Sequence, residues 1–203
     1  MGTYYSRSVP GGIKVDLTDE SETFRVLNKI NPNVIIHAVG EPDPDVAKQN
    51  PEQALRLNVE SVRAIGNFAQ KNNCKIIHLS TAYVFPGKQT DKYKETEQRR
   101  AVNFYAETKV KGEGVIERYP NHIILRFDLV FGYNGSGKAN GIFGKIINTK
   151  TDISYEPTQL RQPMFIDDIA RAIQFLWSVN RSESFIWGQI SQPNMTSVVS
   201  WNQ

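Results

Sequence analysis

The sequence has 203 residues, which is enough for one domain, or one and a half, with a core that needs no disulfide or metal to stabilise it. Its formal net charge is +3 and its acidic and basic residues are interspersed, which argues against a nucleic-acid or membrane-surface partner. No apolar run approaches the ~20 residues of a membrane-spanning helix, the start has no apolar signal core, and a single cysteine cannot form an internal disulfide. The composition therefore predicts a soluble, cytoplasmic α/β protein without indicating a reaction.

Short apolar segments alternate along the chain with segments of helical periodicity. The strands that this pattern predicts are 4–7, 13–17, 34–39, 75–79, 122–131 and 184–190. The predicted helices begin in the cap-rich segment 18–22 and cover 52–71, 101–118 and 166–179, with loops at 40–51, 80–96 and 132–141. Strands that alternate with helices in this way are typical of βαβ units, which form a parallel sheet with helices on both faces.

Two residues of a predicted helix carry the first candidate chemistry. Tyr105 and Lys109 are four positions apart, so the phenol and the ammonium share one face of the helix. A nearby ammonium favours the phenolate, so we expect Lys109 to lower the pKa of Tyr105 and to suit it for general acid or base catalysis. On the pattern alone, an exposed helix pair explains the spacing equally well.

Polar residues also follow the predicted strands, where the ligands of an open parallel sheet bind. The hydroxyl of Ser80 or Thr81 could bond a substrate carbonyl or the Tyr105 oxygen, although the start of a turn is the commoner explanation of such residues. The carboxylate of Asp16 could accept a hydrogen bond from an adenosine group or cap the helix that follows. The strand ends to inspect are therefore 16–17, 38–40 and 80–81.

The glycine-rich segment Gly132–Lys138 follows a strand and matches most of the phosphate-binding pattern G-x-x-x-x-G-K. The next residue is Ala139 instead of Ser or Thr, so the hydroxyl that would hold Mg²⁺ is missing. We therefore favour a flexible loop over a ligand site, and not nucleotide hydrolysis, as the role of these glycines.

The other polar candidates are explained more simply by structural roles. We expect satisfied, buried histidines that lie too far apart in the pattern for a metal triad: His37, His78 and His122. Cys74 is predicted to be an ordinary, partly buried thiol. Glu95 and Glu97 fall in a charge-rich loop and are predicted to be solvated. No metal site follows from these residues.

Seven short motifs occur in the order Val15–Asp19, Pro32–Ala38, Asn58–Glu60, Ser80–Gly87, Tyr105–Glu113, Leu125–Arg126 and Gln162–Ala170. In this order and spacing they resemble the extended short-chain dehydrogenase/reductases. Within these, they resemble the dTDP-4-dehydrorhamnose reductase group, which also includes the regulatory β subunit of methionine adenosyltransferase. The resemblance implies a Rossmann-like, doubly wound parallel sheet over 1–132 and a small, partial substrate-binding lobe over 133–203. In that lobe a helix at about 166–179 and a strand at about 184–190 return to the core.

The resemblance also implies an activity, the NAD(P)H-dependent reduction of a nucleotide-linked keto-deoxy sugar. Tyr105 would donate a proton to the carbonyl oxygen, Thr81 would bond that carbonyl, and Lys109 would hold the nicotinamide ribose. Arg7 could meet an adenosine 2′-phosphate, which favours NADP over NAD. The further cofactor contacts that it implies are Asp16, Leu17, Ala38, Val39, Gly40 and Asn58. The implied partners are a nucleotide sugar and either a second copy of the chain or a catalytic subunit.

One departure from the family pattern bears on this expectation. The family opens with a strand and a Gly-x-x-Gly-x-x-Gly turn that holds the cofactor pyrophosphate, and this motif is absent from the sequence. We therefore expect an N-terminally shortened sheet that lacks its first, central strand and exposes unpaired edges. This leaves two alternatives to an active reductase, namely a non-catalytic NADP-binding regulatory subunit and an inactive truncated fragment.

Overall fold

The computed structural model describes residues 1–87, 93–133, 137–148, 161–178 and 182–186. Within these ranges, parallel strands and helices alternate along the chain, and the fold is α/β and Rossmann-like, as the sequence predicts. No helix in these ranges combines the length and the apolar character that crossing a membrane requires.

A parallel four-stranded sheet forms the centre of the molecule. Its strands, in spatial order, are β3 (Val34–His37), β4 (Lys75–Thr81), β5 (His122–Phe127) and β9 (Glu183–Ile186). The side chains of β4 and β5 are buried almost without alternation, as expected for strands that helices cover on both faces. The last predicted strand is confirmed in its first part, and residues 187–190 lie outside the described residues.

Seven α-helices are described: α1 (Glu20–Ile30), α2 (Pro44–Gln49), α3 (Pro51–Leu55), α4 (Ser61–Asn72), α5 (Phe104–Ile116), α6 (Gly141–Asn148) and α7 (Ile166–Ser178). They divide the core between the two faces of the sheet. Ile76 packs with Phe68 of α4 and Val115 of α5, whereas its neighbour Ile77 packs with Ile169 of α7. Because side chains alternate along a strand, adjacent residues of β4 stabilise opposite layers.

The helix that follows β2 (Ile13–Lys14) corrects one of the two roles considered for Asp16. The cap of α1 is Asp19, whose carboxylate accepts from the backbone N–H of Glu22 at 2.9 Å. Asp16 instead accepts from the backbone N–H and the hydroxyl of Thr18, at 2.9 and 2.7 Å. The prediction that Asp16 caps the helix is therefore wrong, because its side chain closes a local turn before the helix begins.

Two predicted segments between β3 and β4 are corrected by the structure. The predicted loop 40–51 contains α2, which Asp43 caps through the N–H groups of Asp45 and Val46, with Pro44 at the start of the helix. The predicted helix 52–71 is α3, a π-helical turn at Arg56–Glu60 and α4 in succession. The sequence pattern therefore located the helical region but not its irregular turn.

The predicted strand 122–131 is also wrong, because it is two strands in different sheets. β5 ends at Phe127, and β6 (Val130–Tyr133) is the middle strand of a second sheet, in the order β7 (Ala139–Asn140), β6, β8 (Met164–Phe165). The predicted loop 132–141 thus includes strand residues, and its positions 134–136 lie outside the described residues. The division of the chain at residue 132 into two domains stays a prediction.

A third, two-stranded sheet lies at the start of the chain. β1 (Thr3–Tyr4) pairs in parallel with β2, so both strands are shorter than the predicted 4–7 and 13–17. Within the described residues, no strand joins this sheet to β3, which is an edge strand of the central sheet. Ile36 of β3 is 48% exposed. Among the described strands β3 therefore pairs with β4 alone, and part of its outward face is exposed.

Candidate active site

The carboxyl end of β4 and the first turns of α5 bring two of the predicted catalytic side chains together. Asn103 caps α5 by accepting from the N–H of Ala106 at 2.8 Å, which starts the helix just before Tyr105. The side chain of Thr81, the last residue of β4, is close enough to Tyr105 to favour the ionised phenol and so to act against the rise in its pKa. A half-buried phenol and a hydroxyl at a strand end are thus positioned to bind one carbonyl oxygen.

The third predicted catalytic residue, Lys109, lies one turn further along α5 and is buried. Its ammonium donates to the backbone carbonyl of Leu79 at 2.8 Å. Burial lowers the pKa of Lys109 to about 8, although the nearby Glu113 carboxylate opposes that shift. The lysine is therefore anchored to β4 beside the Thr81–Tyr105 pair.

This geometry overturns the expectation that Lys109 lowers the pKa of Tyr105. Burial raises the pKa of the Tyr105 phenol, and the hydrogen bond from Thr81 only partly opposes that effect. The physical reason is that the phenol is desolvated while the ammonium is directed at the strand backbone. Tyr105 is consequently a protonated phenol at neutral pH, the form that a proton donor requires.

Ser80 and Thr81, which the sequence could not separate, have different partners. The Ser80 hydroxyl donates to Oε1 of the buried Glu113 at 2.5 Å, whereas the Thr81 hydroxyl accepts from the backbone N–H of Tyr83 at 3.2 Å. Arg126 donates to both Glu113 oxygens, at 2.9 and 2.7 Å. Burial raises the pKa of Glu113, but hydrogen bonds from Arg126, Ser80 and Arg99 outweigh it and hold that pKa below its ordinary value. Ser80 is therefore committed to an internal ion-pair network.

The same network corrects the prediction that Glu95 and Glu97 are solvated. The Glu95 carbonyl accepts from Arg126 at 3.0 Å, and its carboxylate accepts from the N–H of Ile186 at 3.4 Å. The Glu97 carboxylate accepts from the N–H of Lys94 at 2.9 Å. Both glutamates are half-buried because the loop that carries them folds over the ends of β5 and β9.

Asn58, predicted to contact the cofactor, lies fully buried in the π-helical turn. Its amide oxygen accepts from the N–H of Glu41 at 2.8 Å, and its amide nitrogen donates to the Glu41 carbonyl and to the Thr108 hydroxyl, at 3.2 and 2.7 Å. The Thr108 hydroxyl in turn donates to the carbonyl of Tyr105 at 2.7 Å. A Cβ on Gly40 would lie 2.5 Å from the Asn58 oxygen, so this contact requires glycine. Asn58 thus joins the loop after β3 to the helix of Tyr105.

A cavity of about 330 Å³ lies at the carboxyl ends of β1 and β2. Three predicted cofactor residues line it, namely Asp16, Leu17 and Val39, and Tyr4 and Arg56 complete its walls. Arg56 donates to the Thr18 hydroxyl at 2.7 Å, which itself donates to Asp16. The other six predicted cofactor residues lie outside the lining of this cavity: the exposed Arg7 and Ala38, the half-buried Gly40, and Asn58, Tyr105 and Lys109, described above.

The histidines are closer together than the sequence suggested. His37 and His78 face each other across β3 and β4, with their Nδ1 atoms 3.0 Å apart. His37 Nε2 lies 3.2 Å from the Ser61 hydroxyl, whereas the buried His78 Nε2 has no hydrogen-bond partner within the described residues. The prediction of satisfied histidines is therefore wrong for His78. Burial lowers the pKa of His37 to about 3 and that of His78 well below its ordinary value, so both rings are neutral.

His122 and Cys74 have structural environments. The His122 Nδ1 atom lies 2.5 Å from the Tyr119 carbonyl. Cys74 is fully buried, more so than predicted, and burial raises the pKa of its thiol to about 11. Within the described ranges, no three histidine, cysteine, aspartate or glutamate side chains converge in a way that could hold a metal ion.

Sequence reasoning missed a cluster on the other side of Tyr105. The ring centroids of Tyr83 and Tyr105 are 6.3 Å apart at an interplanar angle of 76°. The Arg161 guanidinium lies 4.6 Å from the centroid of the Tyr83 ring and donates to the Tyr83 hydroxyl. Asp128 accepts from Arg161 at 3.0 Å. Neither Asp128 nor Arg161 stands out by spacing or motif, because residues far apart in sequence form the cluster.

Comparisons with known proteins identify a family and several relatives that this chain resembles. The family model described as RmlD substrate binding domain matches residues 4–201. The methionine adenosyltransferase 2 subunit beta of Danio rerio is 29% identical over 175 residues, which are 84% of this chain and 53% of that protein. The dTDP-4-dehydrorhamnose reductase of Salmonella typhimurium is 33% identical over 125 residues, which are 61% of this chain and 42% of that protein. The chain thus spans about half the length of these curated relatives.

Two solved structures share the fold. The dTDP-4-dehydrorhamnose reductase of Bacillus anthracis, solved in complex with NADP, superposes with a TM-score of 0.81 at 22% identity, over 89% of this chain and 65% of that one. A hypothetical dTDP-4-dehydrorhamnose reductase from Sulfolobus tokodaii gives a TM-score of 0.80 at 27% identity, over 91% of this chain and 66% of that one. Each of the two superpositions therefore covers about nine-tenths of this chain.

Proposed function

Because the chain belongs to the family of RmlD substrate-binding domains, we propose that it is an NAD(P)H-dependent reductase of a nucleotide-linked keto-deoxy sugar. The observation that carries the proposal is that the side chain of Thr81, at the end of β4, acts on the half-buried phenol of Tyr105, beside the anchored ammonium of Lys109. A phenol, a hydroxyl and an ammonium at the end of a parallel strand suit the transfer of a proton to a carbonyl oxygen. The similar dTDP-4-dehydrorhamnose reductases support this choice of substrate class.

The residues present fit part of a nicotinamide dinucleotide. The cavity of about 330 Å³ is within the size range of small-molecule sites and offers the Asp16 carboxylate to an amino or hydroxyl group. Lys109 uses one donor on Leu79, so the remaining donors of its ammonium can hold ribose hydroxyls. The sequence has no Gly-x-x-Gly-x-x-Gly turn for the pyrophosphate. These residues therefore suit the adenosine end and the nicotinamide ribose of the cofactor, and the chain has no motif for the pyrophosphate between them.

When bound, the reduced nicotinamide supplies hydride to the keto carbon of the sugar. In this proposal Thr81 and Tyr105 hold the keto oxygen, and Tyr105 gives its proton to that oxygen as negative charge develops there. The raised pKa of Tyr105 keeps its proton in place at neutral pH. Lys109, with a pKa of about 8, is mostly cationic below that pH and offers the donors that Leu79 does not use to the ribose of the cofactor.

The direct test mixes the purified chain with NADPH and dTDP-4-dehydrorhamnose and follows the nicotinamide absorbance. We expect a decay that depends on the keto sugar and is absent with a nucleotide sugar that has no keto group. Isothermal titration with NADPH alone measures cofactor binding independently of turnover. Absence of both decay and binding would contradict the proposal, and binding without decay would favour the second candidate.

The second candidate is a non-catalytic, NADP-binding regulatory subunit. Two observations favour it, namely the similarity to methionine adenosyltransferase 2 subunit beta over 84% of the chain and the absence of the glycine-rich turn. Co-purification with the catalytic subunit of a methionine adenosyltransferase separates the two candidates. A stable complex in which the chain shows no reductase activity would establish the regulatory role.

A further inference from the structure

Arg161 belongs to a segment that lies far from Tyr105 in sequence but contacts the wall of its site. This arginine forms an ion pair with Asp128 at 3.0 Å, and the second oxygen of Asp128 accepts from the N–H of Gln162, also at 3.0 Å. The side chains of Arg161 and Asp128 are 29% and 11% exposed. Asp128 therefore fixes both the guanidinium and the backbone of the segment that leads into β8.

Arg161 contacts Tyr83 in two ways at once. Its guanidinium lies over the ring of Tyr83, at 4.6 Å from the ring centroid, and also donates to the Tyr83 hydroxyl. A planar guanidinium with several donors can stack on one group and bond two others, which an ammonium cannot do. The orientation of the Tyr83 ring is thus determined by a charge that Asp128 holds.

Tyr83 in turn contacts the two residues that carry the proposed chemistry. Its ring meets the Tyr105 ring edge to face, at 6.3 Å between centroids and 76° between planes. Its backbone N–H donates to the Thr81 hydroxyl oxygen at 3.2 Å. Tyr83 therefore restrains the phenol of Tyr105 from the side and the hydroxyl of Thr81 from the backbone.

We propose that Arg161 is a positioning residue, which with Asp128 fixes the ring of Tyr83 and through it the phenol of Tyr105. This role rests on the proposed function, because it gives the phenol the orientation that proton transfer needs. Misplacement of a reacting group by about 1 Å can slow a reaction about 100-fold, so loss of such a support acts on kcat. Because Arg161 lies just before β8, the same contacts also connect the three-stranded sheet to Tyr83 and Tyr105.

The kinetic test uses a mutant cycle between Arg161 and Tyr83. We expect Arg161→Ala and Tyr83→Leu each to lower kcat about ten-fold, with the KM of the sugar nucleotide changed by less than about two-fold. Because both act through one contact, Arg161→Ala should have no further effect in the Tyr83→Leu background. Tyr83→Phe keeps the ring and should retain more activity than Tyr83→Leu. A rise in KM alone, or losses that multiply, would overturn the proposal in favour of a direct contact with substrate.

A second measurement needs no turnover. Nuclear magnetic resonance of the chain with ¹³C-labelled tyrosine rings follows the Tyr105 signal, which the Tyr105→Phe variant assigns. We expect that signal to shift or broaden in Arg161→Ala and in Asp128→Asn, and to stay unchanged in the control Arg171→Ala, an exposed arginine on α7. Calorimetry confirms that each variant unfolds cooperatively. An unchanged Tyr105 signal in a folded Arg161→Ala variant overturns the positioning role, whereas a wild-type chain without turnover contradicts only the proposed function.

Discussion

The candidate site has two ends, one at the carboxyl end of β4 and one at the cavity beside β1, and they differ in how many buried contacts support them. Around the carboxyl end of β4, the catalytic candidates lie among fully buried strands, and Ser80, Glu113 and Arg126 form a closed network behind them. Around the cavity beside β1, the walls come mostly from the segments that follow β1, β2 and β3 and from the helical region 52–57, and no described strand joins the two-residue strands β1 and β2 to β3. The proposed function places proton transfer at the first, rigid end of the site and recognition of the cofactor's adenosine at the second, open end.

This difference indicates that chemistry and cofactor affinity can be changed separately. Substitutions near Tyr105 should change turnover or global stability, because their contacts are buried and connected. Substitutions near the cavity should change cofactor binding with little effect on folding. Asn58 is the exception, since its hydrogen bonds connect the two ends through Glu41 and Thr108.

The largest effect is expected at the rigid end from Tyr105→Phe, which removes the proposed proton donor and keeps the ring. We expect kcat to fall about 1,000-fold, within the range of general acid catalysis, while NADPH binding stays unchanged. Steady-state kinetics and calorimetry measure the two quantities. Tyr133→Phe, at a residue 66% exposed, is the matched control and should be fully active. Full activity of the Tyr105 variant would contradict the assignment of the donor.

The next effect concerns the network behind the site. Glu113→Gln removes the carboxylate that pairs with Arg126 and leaves a buried cation, so the free energy of unfolding should fall by about 3–5 kcal/mol. Urea denaturation measures the loss. In the control Glu117→Gln, the side chain is 39% exposed and the change should be below about 1 kcal/mol. Equal losses of unfolding free energy in the two variants would contradict a larger contribution from the buried ion pair.

The same carboxylate gives a pH dependence of stability with a defined sign. The folded-state pKa of Glu113 lies below its ordinary value of 4.5, so its contribution is present above that value. It should be lost as the pH falls from about 4.5 toward the folded pKa. Urea midpoints of wild type and Glu113→Gln should therefore converge in acid, and curves that stay parallel would contradict this linkage.

A smaller loss is expected from Asn58→Ala, which separates the two ends of the site. The N–H of Glu41 is left without its partner, so the free energy of unfolding should fall by about 1–3 kcal/mol. We expect the KM for NADPH to rise and kcat to fall together, because the loop after β3 and the helix of Tyr105 are both released. Asn67→Ala, at an exposed asparagine of α4, should leave both kinetic constants unchanged. An effect confined to stability would show that Asn58 does not couple the two ends.

The smallest effect is expected at the open end. If Arg7 meets a 2′-phosphate, Arg7→Ala should weaken NADPH binding several-fold and leave NADH binding unchanged, since an exposed charge contributes little. Titration calorimetry with both cofactors measures the ratio. Lys14→Ala, at an exposed cation of the neighbouring strand β2, is the control. Equal weakening for NADPH and NADH would remove the role in NADP selection.

The two middle strands of the central sheet, β4 and β5, could be predicted because each one is an apolar run that is buried on both faces. The break between β5 and β6 could not, because the apolar pattern continues through it. There Asp128 turns the chain by accepting from Arg161 and Gln162, more than thirty residues away. Helix α2 was missed as well, because it begins at Pro44 in a polar, proline-containing segment that is typical of a loop. Local patterns therefore predicted elements, and long-range contacts determined where they end.

At the candidate site, Thr81, Tyr105 and Lys109 could be named from sequence, but the directions of the pKa shifts of Tyr105 and Lys109 could not. Helical spacing places Lys109 near Tyr105, yet its ammonium bonds the Leu79 carbonyl, and this partner depends on how α5 packs on β4. The pairing of His37 with His78 likewise depends on the register of two strands. Burial and register, which no spacing rule contains, account for both differences.

The dependence of kcat/KM on pH tests the central claim, that Tyr105 donates its proton beside a cationic Lys109, most directly. Burial lowers the pKa of Lys109 to about 8, so kcat/KM for the keto sugar should be constant at neutral pH and decline as the pH rises through about 8. Lys109→Arg, which stays charged, should lose this decline, whereas the exposed Lys111→Arg should keep it. A profile that is flat in the wild type, or that is the same in the Lys109 variant, would contradict the account.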